Sequence, residues 1–439
     1  MRFPKRFRAK WQPVRVKKTR RSKSLSALVT LATLSAALVV ADRAVADPDN
    51  YVSVERGKAL AIAGDCVACH TAPGGVPFAG GLSLATPFGV IMTPNITSDE
   101  ATGIGRWSKD DFARAMHQGR RPSGALLYPA FPYTYYTKVS RSDIDAIYDY
   151  LRTVEPVDNA VNRNSLPFPF NIRTAMLGWN ALYFKPGRFV PDPQRSEEFN
   201  RGAYLVDGLG HCGACHTPMN LFGANKEDRF LQGNQIDTWM APNITNDPQT
   251  GLGKWSVEEI VQYLKTGQTR TTMASGPMAE VVEDSTSKMS DADLKAMAVY
   301  LKERGAEGTP APAPLAASDP RMQAGEAIFT DTCSACHTRD GGGIEHMFPR
   351  LANNAIVRQD DPTTLIRIIL TGVRGAGTDA FPTSPAMPSF GYRLDDSQVA
   401  AVVSYIRNSW GNAASPVDAD TVKSVRARVS SPVARSASQ

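Results

Sequence analysis

Cysteine and histidine are both scarce in this 439-residue chain, at six residues each. No cysteine is left over once the three pairs described below are counted, so the sequence offers no lone thiol nucleophile. Apolar runs long enough to span a membrane are absent beyond residue 41. No grouping of acid, base and nucleophile stands out, which argues against proton- or group-transfer chemistry on this chain. A basic folded region is missing too. The formal net charge is +6, but residues 1–46 hold twelve Lys or Arg against one acid, Asp42. The remainder has five more acids than bases, and a nucleic-acid partner loses its main support. With 42% hydrophobic residues the composition is that of a globular protein, and 31 prolines make it rich in loops.

The first tenth reads as a targeting segment. A basic run ends at Lys23, an apolar small-residue stretch covers 25–41, and Ala44-Val45-Ala46 supplies a cleavage signal. That order is a secretory signal peptide over 1–46, with an uncleaved membrane anchor as the alternative. Arg20-Arg21 hints at twin-arginine export, without the Phe-Leu that normally follows.

The cysteines form Cys66-Val-Ala-Cys69-His70, Cys212-Gly-Ala-Cys215-His216 and Cys333-Ser-Ala-Cys336-His337. C-x-x-C-H is the attachment pattern of haem c. Two thiols one helical turn apart reach the two vinyl groups of one porphyrin edge, and the following His swings beneath the ring as proximal iron ligand. Zinc would need two such pairs close together, or a pair plus two spaced histidines. A thioredoxin-like redox pair would not explain the His after every pair. The expectation is three covalently bound haem c groups, on Cys66 and Cys69, Cys212 and Cys215, and Cys333 and Cys336. His70, His216 and His337 are the expected iron ligands. Covalent attachment outside the cytoplasm agrees with export, and favours export of an unfolded chain.

The chain also repeats itself. Pro94-Asn95-Ile96-Thr97 through Trp107-Ser108 recurs as Pro242-Asn243-Ile244-Thr245 through Trp255-Ser256 at a constant offset of 148. Each copy reads as a helix before the haem site (Val54–Ala63, Glu198–Gly208), a Gly/Pro-rich loop, and a Ser-capped middle helix (Lys109–Gln118, Val257–Thr266) closed by Gly119 or Gly267. A last helix follows, beginning Ser142-Asp143 or Ser290-Asp291. The third unit has helices at Ala324–Thr332, Thr363–Leu370 and Asp395–Asn408. The fold class is therefore mostly α, with three tandem cytochrome c-type domains, each holding one haem c. The expected boundaries are 47–158, 198–306 and 320–412. A connecting arm (159–197), a linker (307–319) and a mobile tail (413–439) complete the chain. The arm, with Phe168, Phe170, Ile172, Met176, Trp179 and Tyr183, either packs on its own domains or presents a docking surface.

An electron-transfer haem keeps its iron six-coordinate, with Met sulfur opposite His. The loop before the last helix offers Met278 in the second unit, with Met273 as competitor, and Met387 in the third. The first unit departs, because Phe131 stands at the place of Met278. Met116 ranks first there, then His117, with Met92 read as structural and an open fifth-coordinate iron also in play. His211 and His346 read as structural or surface residues.

These features resemble the tri-haem cytochrome c subunits of membrane-associated bacterial dehydrogenases: quinone-type alcohol dehydrogenases and related flavin-dependent gluconate, sorbitol and fructose enzymes. The segments that carry the likeness include Gly64-Asp65-Cys66, Phe168-Pro169-Phe170-Asn171-Ile172-Arg173, Arg201-Gly202-Ala203-Tyr204, Met278-Ala279-Glu280-Val281-Val282 and Ser409-Trp410-Gly411-Asn412. The resemblance implies Met278 and Met387 as axial ligands. It also implies electrons taken from a catalytic subunit and passed to membrane ubiquinone at the periplasmic face of the inner membrane, with peripheral attachment. The alcohol-dehydrogenase form has Met where Phe131 stands; Phe there resembles subunits of some aldehyde or molybdenum hydroxylase-type dehydrogenases. The partner is thus a quinone-, flavin- or molybdenum-type dehydrogenase, and this chain is not expected to act on the organic substrate alone. A peroxidase- or reductase-like enzyme at an open first haem, and a free electron carrier, are the competing classes.

Overall fold

The computed structural model describes residues 48–430 apart from 306, 307 and 309. The expected signal segment, 1–46, lies outside the described residues. What is described is mostly helical; one order of elements recurs in the first two copies, and the third segment keeps the helices but places its strand pair after the middle helix. The first copy runs α1 (Pro48–Ala63), the turn α2 (Cys66–Cys69), the hairpin β1 (Ser83–Thr86) and β2 (Gly89–Met92), α3 (Lys109–Gln118), α4 (Tyr133–Tyr136) and α5 (Arg141–Leu151). The arm contains α6 (Met176–Tyr183). The second copy has α7 (Glu197–Tyr204), α8 (Gly213–His216), β3 (Asn234–Ile236), β4 (Trp239–Ala241), α9 (Val257–Thr266), α10 (Pro277–Asp284) and α11 (Asp291–Glu303). The third segment has α12 (Pro320–Ile328), α13 (Ser334–His337), α14 (Thr363–Thr371), β5 (Val373–Arg374), β6 (Ala386–Met387), α15 (Asp396–Arg407) and α16 (Ala419–Val429).

Local chemistry sets the helix ends. Ser108 and Ser256 each accept from the third backbone N–H of their helix, and Asp111 and Glu259 reach back to complete capping boxes. Gly119 and Gly267 close the same helices in the left-handed region, at φ 60° and 76°. The last helix of the first copy starts earlier than expected. Ser140 rather than Ser142 is its cap, because the Ser140 hydroxyl accepts from the Asp143 N–H.

One crossing holds each repeat together. The first helix packs across the last so closely that no side chain fits between them. A Cβ on Gly57 would lie 1.8 Å from the Ala146 carbonyl oxygen, one on Gly202 2.0 Å from that of Ala296, and one on Gly325 2.3 Å from that of Ala401. Backbone contact of this kind requires glycine. The stripe Ile144, Ile147 and Leu151 is at most 1% exposed beneath the first crossing. Burying each such side chain contributes about 1.5–3 kcal/mol.

The cores are not divided three ways. Leu60, Ile144 and Tyr136 of the first copy share one buried cluster with Leu205, Leu209 and Leu294 of the second. The third segment buries its own cluster, around Phe329, Ile366, Val399 and Val403. It meets the second copy through a small buried apolar cluster of Ala376 with Ala274, Ala279 and Val282 and through polar contacts. The Thr364 hydroxyl accepts from the Met240 N–H at 2.7 Å, the Gln359 amide donates to the Thr250 carbonyl, and Arg367 lies over the Trp239 ring.

The expected mobile tail differs from the structure. Residues 419–429 form α16, capped by Asp418, with Val422 and Val425 at most 1% exposed against the third core. Arg426 pins it by an ion pair to Asp396 and hydrogen bonds to the Gly391 and Leu394 carbonyls. The linker is also engaged at its far end, where the Leu315 N–H donates to the Asn408 side chain.

Candidate functional site

Each C-x-x-C-H motif sits on a single short helical turn behind the first helix of its repeat. The six thiols are free, with no disulfide among them. Burial pushes the Cys66, Cys69 and Cys212 thiols up to about 12, and Cys215 and Cys333 up to about 11. A redox-active dithiol needs the opposite shift, toward thiolate. Among the described residues, no group of three or more His, Cys, Asp or Glu is placed to hold a bare metal ion.

The histidines fit an iron macrocycle. His70 Nδ1 lies 2.8 Å from the Pro94 carbonyl oxygen, His216 Nδ1 2.7 Å from that of Pro242, and His337 Nδ1 3.0 Å from that of Pro349. A carbonyl only accepts, so Nδ1 is the donor in each ring and the Nε2 lone pair is left for a metal. Burial lowers all three pKa values, keeping the imidazoles neutral, which is the ligating form. Pro94 and Pro242 open the repeated segment, so the repeat carries the second anchoring point of each ring. Pro349 does this for the third site by a shorter loop.

The first site opens on a cavity of about 1340 Å³. Cys66, Cys69, His70, Met92, Met116 and Phe131 all line it, together with Tyr136. Its wall continues to Cys215 and His211 of the second copy. Asp65, beside Cys66, is pushed up to about 7, first by burial and then by Asp284 and Glu280 of α10 in the second copy.

The candidate distal ligands fall in different places. Met116 is 4% exposed and faces the cavity. His117, on the same helix, is turned away. Its Nε2 donates to the Val139 carbonyl at 3.0 Å and its Nδ1 accepts from Arg188, so neither nitrogen is spare. Phe131 packs its ring on Tyr136 at 5.4 Å. Met92 ends β2, opposite Ser83. Met278 lies in the first turn of α10, a helix the sequence pattern did not mark, packed against the shared core. Its competitor Met273 is directed elsewhere, with its sulfur against the Gly375 backbone of the third segment. Met387 sits in β6, packed against the third core.

His211 was legible only as a structural residue. It is a non-glycine residue at φ 40°, with Nδ1 3.1 Å from the Leu209 carbonyl and its ring edge-on to Tyr136 at 5.5 Å. That places it on the wall shared by the first two sites. His346 stacks on Phe381 at the surface of the third segment.

Helical repeats built round C-x-x-C-H turns with carbonyl-anchored histidines define a c-type cytochrome. The cytochrome c family model matches residues 54–155 and 322–410, which bracket the second copy. The chain belongs to the family of dehydrogenase cytochrome c subunits. It is 42% identical over 426 residues to the gluconate 2-dehydrogenase cytochrome c subunit of Pantoea cypripedii, covering 92% of this chain and 95% of that protein. It is 39% identical over 405 residues to the fructose dehydrogenase cytochrome subunit of Gluconobacter japonicus, covering 85% and 83%. The cytochrome c subunit of the quinone alcohol dehydrogenase of Gluconacetobacter polyoxogenes is 37% identical over 405 residues, covering 88% and 86%. Membership implies covalently bound haem c and a catalytic dehydrogenase partner.

Proposed function

We propose that this chain is the tri-haem electron-transfer subunit of an exported dehydrogenase complex. It takes electrons from a catalytic subunit carrying a quinone, flavin or molybdenum cofactor and passes them to membrane ubiquinone at the periplasmic face of the inner membrane. The observation that carries this reading is the threefold recurrence of a C-x-x-C-H turn whose His Nδ1 is tied to a proline carbonyl. The three haem domains are 47–158, 198–306 and 320–412, joined by the arm 159–197 and the linker 307–319.

Haem c supplies a one-electron couple at each site. The residues of the chain do the rest. Cys66 and Cys69, Cys212 and Cys215, and Cys333 and Cys336 hold the three groups covalently. His70, His216 and His337, oriented by their proline carbonyls, would bind the three irons, and Met278 and Met387 would be the second protein ligands of the last two. Met116 is assigned to the first, because it faces the cavity while both nitrogens of His117 are occupied. The apolar residues around these ligands would exclude water and tune the potentials once the groups are bound.

The test is reduction of the c-type absorption bands by substrate in the purified dehydrogenase complex, followed by quinol formation when ubiquinone is added. Bands that stay oxidised with substrate and an active dehydrogenase subunit present would sink the reading. A second reading, a peroxidase- or reductase-like haem enzyme, is favoured by one observation: the first cavity has Phe131 where the second copy has Met278. Peroxide turnover at an enzymatic rate by the isolated chain would support it over the first.

A further inference from the structure

The arm carries surface that the haem sites do not use. From 159 to 191 it holds four bases, Arg163, Arg173, Lys185 and Arg188, and no acid, in a chain that is otherwise acid-rich beyond residue 46. Its helix α6 reads Met-Leu-Gly-Trp-Asn-Ala-Leu-Tyr and has no buried residue. A helix that is apolar nearly all round belongs in a core or at a membrane. Phe168 is 78% exposed and Leu182 73%.

This surface continues onto both flanking copies. Trp179 Nε1 donates to the Phe222 carbonyl at 2.9 Å, and the Tyr183 ring stacks on Phe222. On the other side the Phe170 ring meets Phe88 of the first hairpin turn at 5.0 Å. Leu221, at the tip of the second copy's turn, is 93% exposed. The result is one aromatic belt fringed by protruding aliphatic tips. Beside it, Arg163 and Lys185 are exposed and in no ion pair among the described residues. Leu182, Tyr183, Arg163 and Lys185 also line the first cavity, so the belt borders that site.

We propose that this belt is the membrane-docking surface of the protein, lying on an anionic bilayer with Phe168, Leu177, Leu182 and Leu221 entering the headgroup region. The proposal rests on the reading that membrane quinone is the acceptor. The exposed Arg163 and Lys185, on a stretch of the arm without acids, match an anionic leaflet. Separate protruding tips suit a fluid layer, which needs no complementary shape, better than the fitted pockets that anchor a protein partner. Among the described residues no helix is long and apolar enough to cross a membrane. The belt provides attachment without one, and sets the first cavity toward the lipid.

The test uses the full haem-loaded chain with vesicles of phosphatidylcholine alone or mixed with phosphatidylglycerol. The unaltered protein sediments with the mixed vesicles and is released by salt. The triple variant Phe168→Ser, Leu177→Ser, Leu221→Ser loses about tenfold or more in vesicle affinity, with its haem spectrum and melting temperature unchanged. Equal sedimentation of variant and parent, or binding that ignores phosphatidylglycerol, would overturn the proposal. So would a variant that keeps its vesicles but no longer co-purifies with the dehydrogenase subunit, which would assign the belt to a protein partner. Failure of substrate to reduce the haems in the unaltered complex is a separate readout, and would count against the functional reading instead.

Discussion

The first and second copies share a scaffold at an offset of 148 and differ at the position proposed to supply the second iron ligand. Both place a carbonyl-anchored histidine behind the same Pro-Asn-Ile-Thr segment, and both cap their middle helix with a serine capping box. The second puts Met278 on a helix of its own, α10, while the first puts Phe131 just ahead of the single turn α4. The difference teaches that proximal and distal halves of a site vary independently. The proximal half is held by backbone geometry. At the position matched to Met278 the first copy has Phe131, and its cavity has Met116 and Met92 on its walls.

The largest expected effect treats the two copies alike. Replacing Cys66 and Cys69 with Ala, or Cys212 and Cys215, removes one covalent haem per chain, measured as the pyridine haemochrome against protein concentration. A haem content unchanged by either pair would break the assignment for that site. Next comes a pair of changes at the point of difference. Met116→Leu removes the assigned ligand, so carbon monoxide binding to the reduced first haem rises and its resonance Raman signature changes; Phe131→Met added to that variant returns sulfur at the matched position and reverses both. If Met116→Leu alone leaves that signature untouched in the parent, Met116 is not the ligand. The smallest effect returns to what the copies share. Gly57→Ala and Gly202→Ala each force a methyl group into a carbonyl oxygen, costing about 1–3 kcal/mol or more by overpacking. Thermal melts followed by circular dichroism should fall by similar amounts, and a large inequality would show that the two crossings carry different loads.

Much of this comparison could be read from residues alone. The motifs marked the three short helical turns, and the serine and glycine caps located α3 and α9 to the residue. Gly57, Gly202 and Gly325 went unread because a glycine inside a helix says nothing of what crosses it until the partner is placed. The proline carbonyls escaped notice because the acceptor is backbone, and no residue type advertises it. The short hairpins were missed since two to four residues are too few to show alternation. In α16 the signal was present, with Asp418 as cap and Val422, Val425 and Val429 on one face, but eleven residues with scattered charge read as polar tail. Met278 and Met273 could not be separated in the sequence with certainty, because which one turns toward the third segment depends on contacts far away in the chain.

The shared core of the first two copies has a topological consequence. Leu205 and Leu209 share one buried cluster with residues of α1, α4 and α5, so covalent continuity through residues 159–197 is not what keeps the halves together. A protease that nicks the arm would leave a two-chain particle that migrates as one body until denatured. The first two copies would then unfold as a pair.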